Sequence, residues 1–178
     1  MLKYIILLTI LYFIYKIFNF LKCRKSLFLP SKWNQPNTKK YNNCYAYALQ
    51  DLKLNRKKKP QPGELCKLNK LKTNDFSCDK LVERVLCDYP NDIYKINKGE
   101  SCPCNEYEVS LFLDNTNNNK DYHFYKKNNS GFWTHKQGSL AVTNVDADNN
   151  LIKDPLKSNR KYKKHNYFEH CSNFCRKI

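Results

Sequence analysis

The chain has 178 residues, with 32 Lys and Arg against 16 Asp and Glu and a formal net charge of +16 at neutral pH. That is enough chain for one domain plus an appendage. An excess of positive charge can mark a nucleic-acid or acidic-membrane partner. Here the lysines are spread along the chain rather than gathered in one patch. Lys, Asn, Ile, Tyr and Phe are abundant beside only 4 Gly, the codon drift of an AT-rich genome such as that of a large DNA virus or an AT-rich microbe. A specific nucleic-acid partner is therefore set aside.

Residues Tyr4 to Leu21 form an apolar run interrupted by Thr9, Lys16 and Asn19. As a helix it spans about 27 Å, enough for a bilayer core. Tyr4, Tyr12 and Tyr15 suit interfacial positions, and Lys16 can snorkel. No small-x-small cleavage site follows, so an uncleaved anchor is expected, with the lipid bilayer as partner. Only Lys3 and the amino terminus precede the run, whereas Lys22, Arg24, Lys25, Lys32, Lys39 and Lys40 follow it. The positive-inside rule then puts the C-terminal domain in the cytosol, a single-pass topology. There the nine cysteines would be mostly free thiols. Their odd number leaves at least one outside any intrachain disulfide.

Residues 1–25 are thus read as an anchor with a basic flank, 26–41 as a polar linker with Pro30 and Pro36, and 42–178 as the domain. The domain opens with Asn42-Asn43-Cys44-Tyr45-Ala46-Tyr47-Ala48-Leu49, a helix start. Asn42 or Asn43 suits the N-cap, and Tyr45, Ala48, Leu49 and Leu52 share one face. The helix is expected to end near Leu54. Pro60-Gln61-Pro62-Gly63 is a rigid turn. A second helix is expected over Asp79 to Asp88, capped by Ser77 or Asp79, with Leu81, Val82, Val85 and Leu86 buried.

The second half is strand-like. Ile93 to Ile96 is short, and Tyr107, Val109, Leu111 and Leu113 alternate as in a half-buried strand. Asp121 to Lys127 and Phe132 to Lys136 form a hairpin around Asn128-Asn129-Ser130-Gly131. Val142 to Val145 and Leu151-Ile152 suggest another, turning at Asp146 to Asn150. Those acids lack the Gly and terminal Glu of a calcium loop. Helices first and an antiparallel meander after them give an α+β pattern.

Most free cysteines are small buried hydrophobes. Cys44 differs in its place, since a thiol in the first turn of a helix meets the positive end of the dipole, which favours thiolate. A thiol nucleophile also needs a base and a group to orient that base. His123 opens a strand and His135 lies on the next. A three-residue turn with Gly131 in the left-handed conformation would place both on one face, whereas a two- or four-residue turn would not.

This arrangement resembles the NlpC-type peptidases and the wider papain-like superfamily, where a helix-borne Cys precedes a meander bearing His on one strand and a polar residue on the next. It is most similar to an uncharacterised group with ordered motifs that here read Asn43 to Leu49, Pro62-Gly63, Asp121 to Tyr125, Trp133 to Gly138 and Val142 to Asp146. The similarity covers roughly residues 42 to 175. It implies a papain-like α+β domain with Cys44 as nucleophile, His123 as general base and acid, and His135 as orienter. The chain lacks the Asp-Cys-Ser-Gly of cell-wall peptidases, so peptidoglycan is not implied as substrate.

Asn42, Asn43 and Gln35 are candidates for the second oxyanion donor beside the Cys44 main-chain N–H. Cys102-Pro103-Cys104 and His170-Cys171-x-x-x-Cys175 lack the two-residue spacing of a zinc knuckle, so no metal and no cofactor is expected. The expected activity is a membrane-anchored cysteine hydrolase of an amide, peptide or ester bond, acting through a thioester. The alternatives are a catalytically silent membrane-anchored structural or interaction protein and, behind it, a basic nucleic-acid-binding module.

Overall fold

The computed structural model describes residues 2–21, 26–116 and 120–178, and in the first stretch the side chains from Tyr4 to Ile17. Cys23 and the basic residues Lys22, Arg24 and Lys25 lie outside the described residues, as does part of the Asn-rich turn after Asp114. The helices are α1 (Leu2–Leu21), α2 (Pro30–Trp33), α3 (Pro36–Tyr41), α4 (Cys44–Ala48) and α5 (Cys78–Asp88). The strands are β1 (Ile93–Ile96), β2 (Glu106–Asp114), β3 (Asp121–Lys127), β4 (Trp133–Lys136), β5 (Val142–Thr143) and β6 (Glu169–Lys177). The class is α+β, with one six-stranded antiparallel sheet in the order β1-β6-β2-β3-β4-β5.

The membrane expectation is corrected. Among the described residues no helix is long and apolar enough to cross a membrane. Thr9, Lys16 and Asn19 interrupt the apolar run in the sequence of α1. The single-pass topology, the membrane partner and the cytosolic placement derived from it lose their basis. The reducing environment goes as well, because Cys66–Cys87, Cys78–Cys171 and Cys102–Cys175 are disulfides and Cys104 is disulfide-bonded too. Such bonds form and persist in oxidising surroundings.

Three local differences have plain causes. The 26–41 stretch, expected as a linker, carries α2 and α3 and buries Trp33 and Thr38. Helix α4 stops at Ala48 rather than near Leu54, where Gln50 takes a left-handed φ of 55°. Strand β6 has no counterpart in the sequence reading, yet it pairs with both β1 and β2. Apart from Phe174 its residues are polar or Cys, with only Ser172, Phe174 and Cys175 buried, so no apolar alternation announces it.

Both faces of the sheet are covered, which is why β2 is buried without a break from Val109 to Asp114. On one face α4 and α5 pack Tyr45, Leu49, Leu81 and Val85 against Val109, Leu111, Tyr122, Phe124 and Phe174. On the other, the loops after β5 lay Ile152 and Tyr167 over Phe112, Tyr125 and Trp133. A third cluster ties α2 to α4 through Trp33, Ala46, Tyr47 and Val142.

Candidate active site

Asn43 has an extended backbone, and its side-chain oxygen accepts the Ala46 N–H at 3.2 Å, which starts α4 one residue before Cys44. The helix packs against β3. Strand β4 pairs with β3 only at Tyr125, Lys126 and Lys127, so the main-chain edge of β3 around residue 123 is left to α4. There Cys44 Sγ donates to the Tyr122 carbonyl at 3.8 Å, and the Phe124 N–H also reaches the sulfur. The thiol thus brackets the main chain of His123. It is 5 % exposed and is the free cysteine among the described residues.

The β3–β4 hairpin pairs Asn128 N–H with Phe132 O at 2.9 Å and closes with Gly131 at φ 85°, a three-residue loop. Register then sets His135 opposite Tyr125, two residues along from His123 on the same face. His123 Nε2 lies 2.8 Å from His135 Nδ1, and His135 Nε2 lies 3.0 Å from Val145 O. A carbonyl only accepts, so His135 Nε2 carries the hydrogen. Its Nδ1 is then the acceptor, His123 Nε2 is the donor, and His123 Nδ1 keeps the free lone pair. Tyr167 stacks on the His123 ring at 4.8 Å, and Tyr125 meets it edge-on at 4.9 Å. Tyr167 is itself held by its hydroxyl, which donates to Asp121 at 2.8 Å.

The electrostatics differ from the sequence expectation. Burial pushes the Cys44 thiol up to about 12, helped by Asp121, against the opposing pull of main-chain N–H groups and Lys136. A helix of five residues supplies too little dipole to reverse that. Burial also lowers both imidazoles, His123 well below the usual range and His135 to about 4. At rest the site holds a neutral thiol and two neutral rings rather than an ion pair. A thiolate on Cys44 would be felt at Tyr122, Tyr125 and Tyr167, so the sulfur lies within electrostatic reach of the rings flanking His123.

The three oxyanion candidates are engaged elsewhere. Asn42 Nδ2 donates to Thr38 O and Lys53 O, Asn43 Nδ2 donates to Pro60 O, and Gln35 is exposed and bonded to Ser31 O. The cysteines weighed for zinc are taken up in disulfides, and among the described residues no group of His, Cys, Asp and Glu is placed to hold a metal.

Sequence reasoning missed Lys136 and Tyr167. Lys136 is fully buried, donates to Lys39 O and Gly138 O at 2.7 and 2.6 Å, and is lowered to about 8 by burial. It follows His135, so strand alternation alone would have turned it towards the Cys44 helix. Tyr167 comes from an irregular segment that carries no such signal.

No family model matches the chain, and no solved structure does; the papain-like (NlpC-type) fold assignment therefore has no structural counterpart behind it. The chain is similar to "Insoluble matrix shell protein 1" of Ruditapes philippinarum, with 26% identity over 133 residues, covering 75% of this chain and 80% of the relative.

Proposed function

We propose that the protein is a cysteine hydrolase of amide, peptide or ester bonds, working in an oxidising compartment with Cys44 as nucleophile, His123 as base and His135 as orienter. The observation that carries this reading is the directed chain from His123 through His135 to Val145 O, which leaves His123 Nδ1 unprotonated on the strand whose Tyr122 carbonyl accepts from the free thiol. In a protein that ties Cys66, Cys78, Cys87, Cys102, Cys104, Cys171 and Cys175 into disulfides, a thiol kept free at that place argues for use.

The neutral resting state dictates the order of events. The sulfur attacks the substrate carbonyl as its proton passes to His123 Nδ1, and the C–S bond forms. The resulting imidazolium is held by its Nε2–H bond to His135. The C–N or C–O bond then breaks, and the leaving group takes the proton from His123. Water, deprotonated by His123, cleaves the thioester and returns the thiol. The Cys44 main-chain N–H, at the start of α4, has no partner within the helix and suits the oxyanion. The test is intact-mass detection of an acyl adduct on Cys44 after mixing with activated esters. The adduct should be absent in Cys44→Ala and strongly slowed in His123→Ala.

A second reading is a catalytically silent structural protein braced by disulfides. The raised thiol and lowered imidazoles favour it, as does the likeness to a shell-matrix protein. It predicts no adduct with any ester.

A further inference from the structure

The stretch after α4 carries a guanidinium that the fold takes out of water and leaves partly unused. Arg56 Nη2 donates to Asp51 at 2.7 Å, and the Arg56 side chain is 9 % exposed. Its Nη1 is buried and has no hydrogen-bond partner among the described residues. An unpaired buried donor costs more than an average hydrogen bond contributes, so a side chain kept in that state calls for a reason. The stretch itself is braced. Asn42, fully buried, donates to Lys53 O at 3.3 Å and accepts the Lys53 N–H at 3.4 Å, and the Asp51 N–H donates to Ala46 O at 2.9 Å.

Arg56 and Asp51 line a cavity of about 170 Å³ whose apolar walls are Tyr45, Pro60, Leu65 and Tyr89. Those walls are fixed. Tyr45 meets Tyr89 edge-on at 6.5 Å, its hydroxyl donates to Asp88 at 2.6 Å, and the Arg176 guanidinium lies over the Tyr89 ring at 4.8 Å. Helix α5 also holds the loop that carries Pro60 and Leu65. Asp88 accepts the N–H of Gly63 at 2.7 Å and that of Cys66 at 2.9 Å, and the Cys66–Cys87 disulfide adds a covalent tie. Asp51 and Arg56 both lie within electrostatic reach of the Tyr89 hydroxyl, which places the ion pair beside the aromatic wall. Lys53, Lys58 and Leu65 are exposed, so the cavity opens to solvent.

Charge and size select the guest. Lys53, Arg56 and Lys58 stand around the cavity against Asp51 and Glu64. Glu64 pairs with Lys58 and accepts the Gln61 N–H at 3.1 Å, while Asp51 pairs with Arg56 and, at 3.8 Å, with Lys53. Both carboxylates are engaged, and the donor left over belongs to Arg56, so an anion is favoured over a cation. An apolar cavity of about 150 Å³ holds one benzene ring, which sets the scale of the body that fits here.

We propose that this cavity binds a small carboxylate with an apolar body the size of one ring, its carboxylate on Arg56 Nη1 and its body against Tyr45, Tyr89 and Leu65. The site stands whether or not Cys44 is a nucleophile.

The test titrates the full chain with benzoate and, as an uncharged probe of the same size, with benzyl alcohol, following the amide resonances of Asp51, Arg56, Gln61, Leu65 and Tyr89 and the Arg56 side-chain N–H signals. Benzoate should give saturable shifts there at millimolar concentration, and benzyl alcohol should bind roughly tenfold more weakly or worse, the ratio that a charge-assisted hydrogen bond supplies. Arg56→Lys keeps the positive charge but has no second amino group, and should weaken benzoate by a similar factor. Leu65→Trp changes an exposed residue, fills the cavity and leaves the Arg56–Asp51 pair in place; it should abolish the shifts. The absence of saturable shifts, equal binding of benzyl alcohol, or benzoate shifts that survive Leu65→Trp would each overturn the site. Unchanged benzoate affinity in Arg56→Lys would overturn the place given to Nη1.

Discussion

His123 and His135 share one hydrogen bond of 2.8 Å, and its direction is set by a third atom, the Val145 carbonyl oxygen, 3.0 Å from the far side of the His135 ring. Because that oxygen can only accept, one hydrogen-bond chain assigns both tautomers. A residue outside the strand pair thereby decides which nitrogen of His123 is basic.

That chain holds only while both rings are neutral. Each imidazole is lowered by burial, so its contribution to stability is full above the unfolded value near 6.5 and is lost as pH falls towards the folded value, about 4 for His135. The melting temperature should therefore hold from pH 8 to about 7 and fall by several degrees by pH 4.5. Replacing both histidines by Phe should flatten that slope. An unchanged melting temperature between pH 7 and 4.5 in the native protein would contradict the buried neutral pair.

The thiol runs in the opposite sense. With Cys44 raised to about 12, its stabilising effect is complete below the unfolded value near 9 and disappears as pH rises through about 12. Iodoacetamide should label native Cys44 slowly at pH 7.5, faster with each unit above it, and at an ordinary rate once the chain is denatured. His123→Ala should leave this profile unmoved while strongly slowing ester turnover, because in the proposed mechanism the imidazole serves as base and not as a standing counter-ion. Rapid labelling at pH 6 would sink that account.

Asp88 gathers the Tyr45 hydroxyl at 2.6 Å and the N–H groups of Gly63 and Cys66. Removing it strands two buried donors and a half-buried one, so Asp88→Ala should cost about 3 kcal/mol in denaturant unfolding. Gly63→Ala should cost about 2 kcal/mol, since Gly63 sits at φ 88° and an added Cβ would lie 2.7 Å from Arg84 Nη1. Near-native stability for either variant would show that α5 does not hold the loop.

Cysteine mapping checks the compartment. Alkylation of denatured, unreduced protein should modify Cys44 and spare Cys66, Cys78, Cys87, Cys102, Cys171 and Cys175 until a reductant is added. Labelling of Cys78 and Cys171 without reductant would remove the disulfide that joins α5 to β6.

Parts of this architecture were open to reading from residue order alone, for local reasons. Ser77 caps α5 through its own side chain, with the Lys80 N–H at 3.4 Å, and apolar alternation marks β2. Asn-Ser-Gly carries the left-handed residue that a three-residue turn needs, and loop length then fixes which strand residues share a face. Residues far apart in the chain settled the rest. Strand β6 is central because its main chain pairs with β1 and β2, and its polar side chains give no periodic signal of that. The nine cysteines have no preferred pairing in one dimension, and tertiary packing brings Cys78 of α5 to Cys171 of β6 across 93 positions. The protonation of the site was decided in the same way. Position at a helix start argued for thiolate, but burial around Cys44 outweighs a five-residue helix, because desolvation depends on everything that closes over the sulfur and the dipole only on the residues next to it.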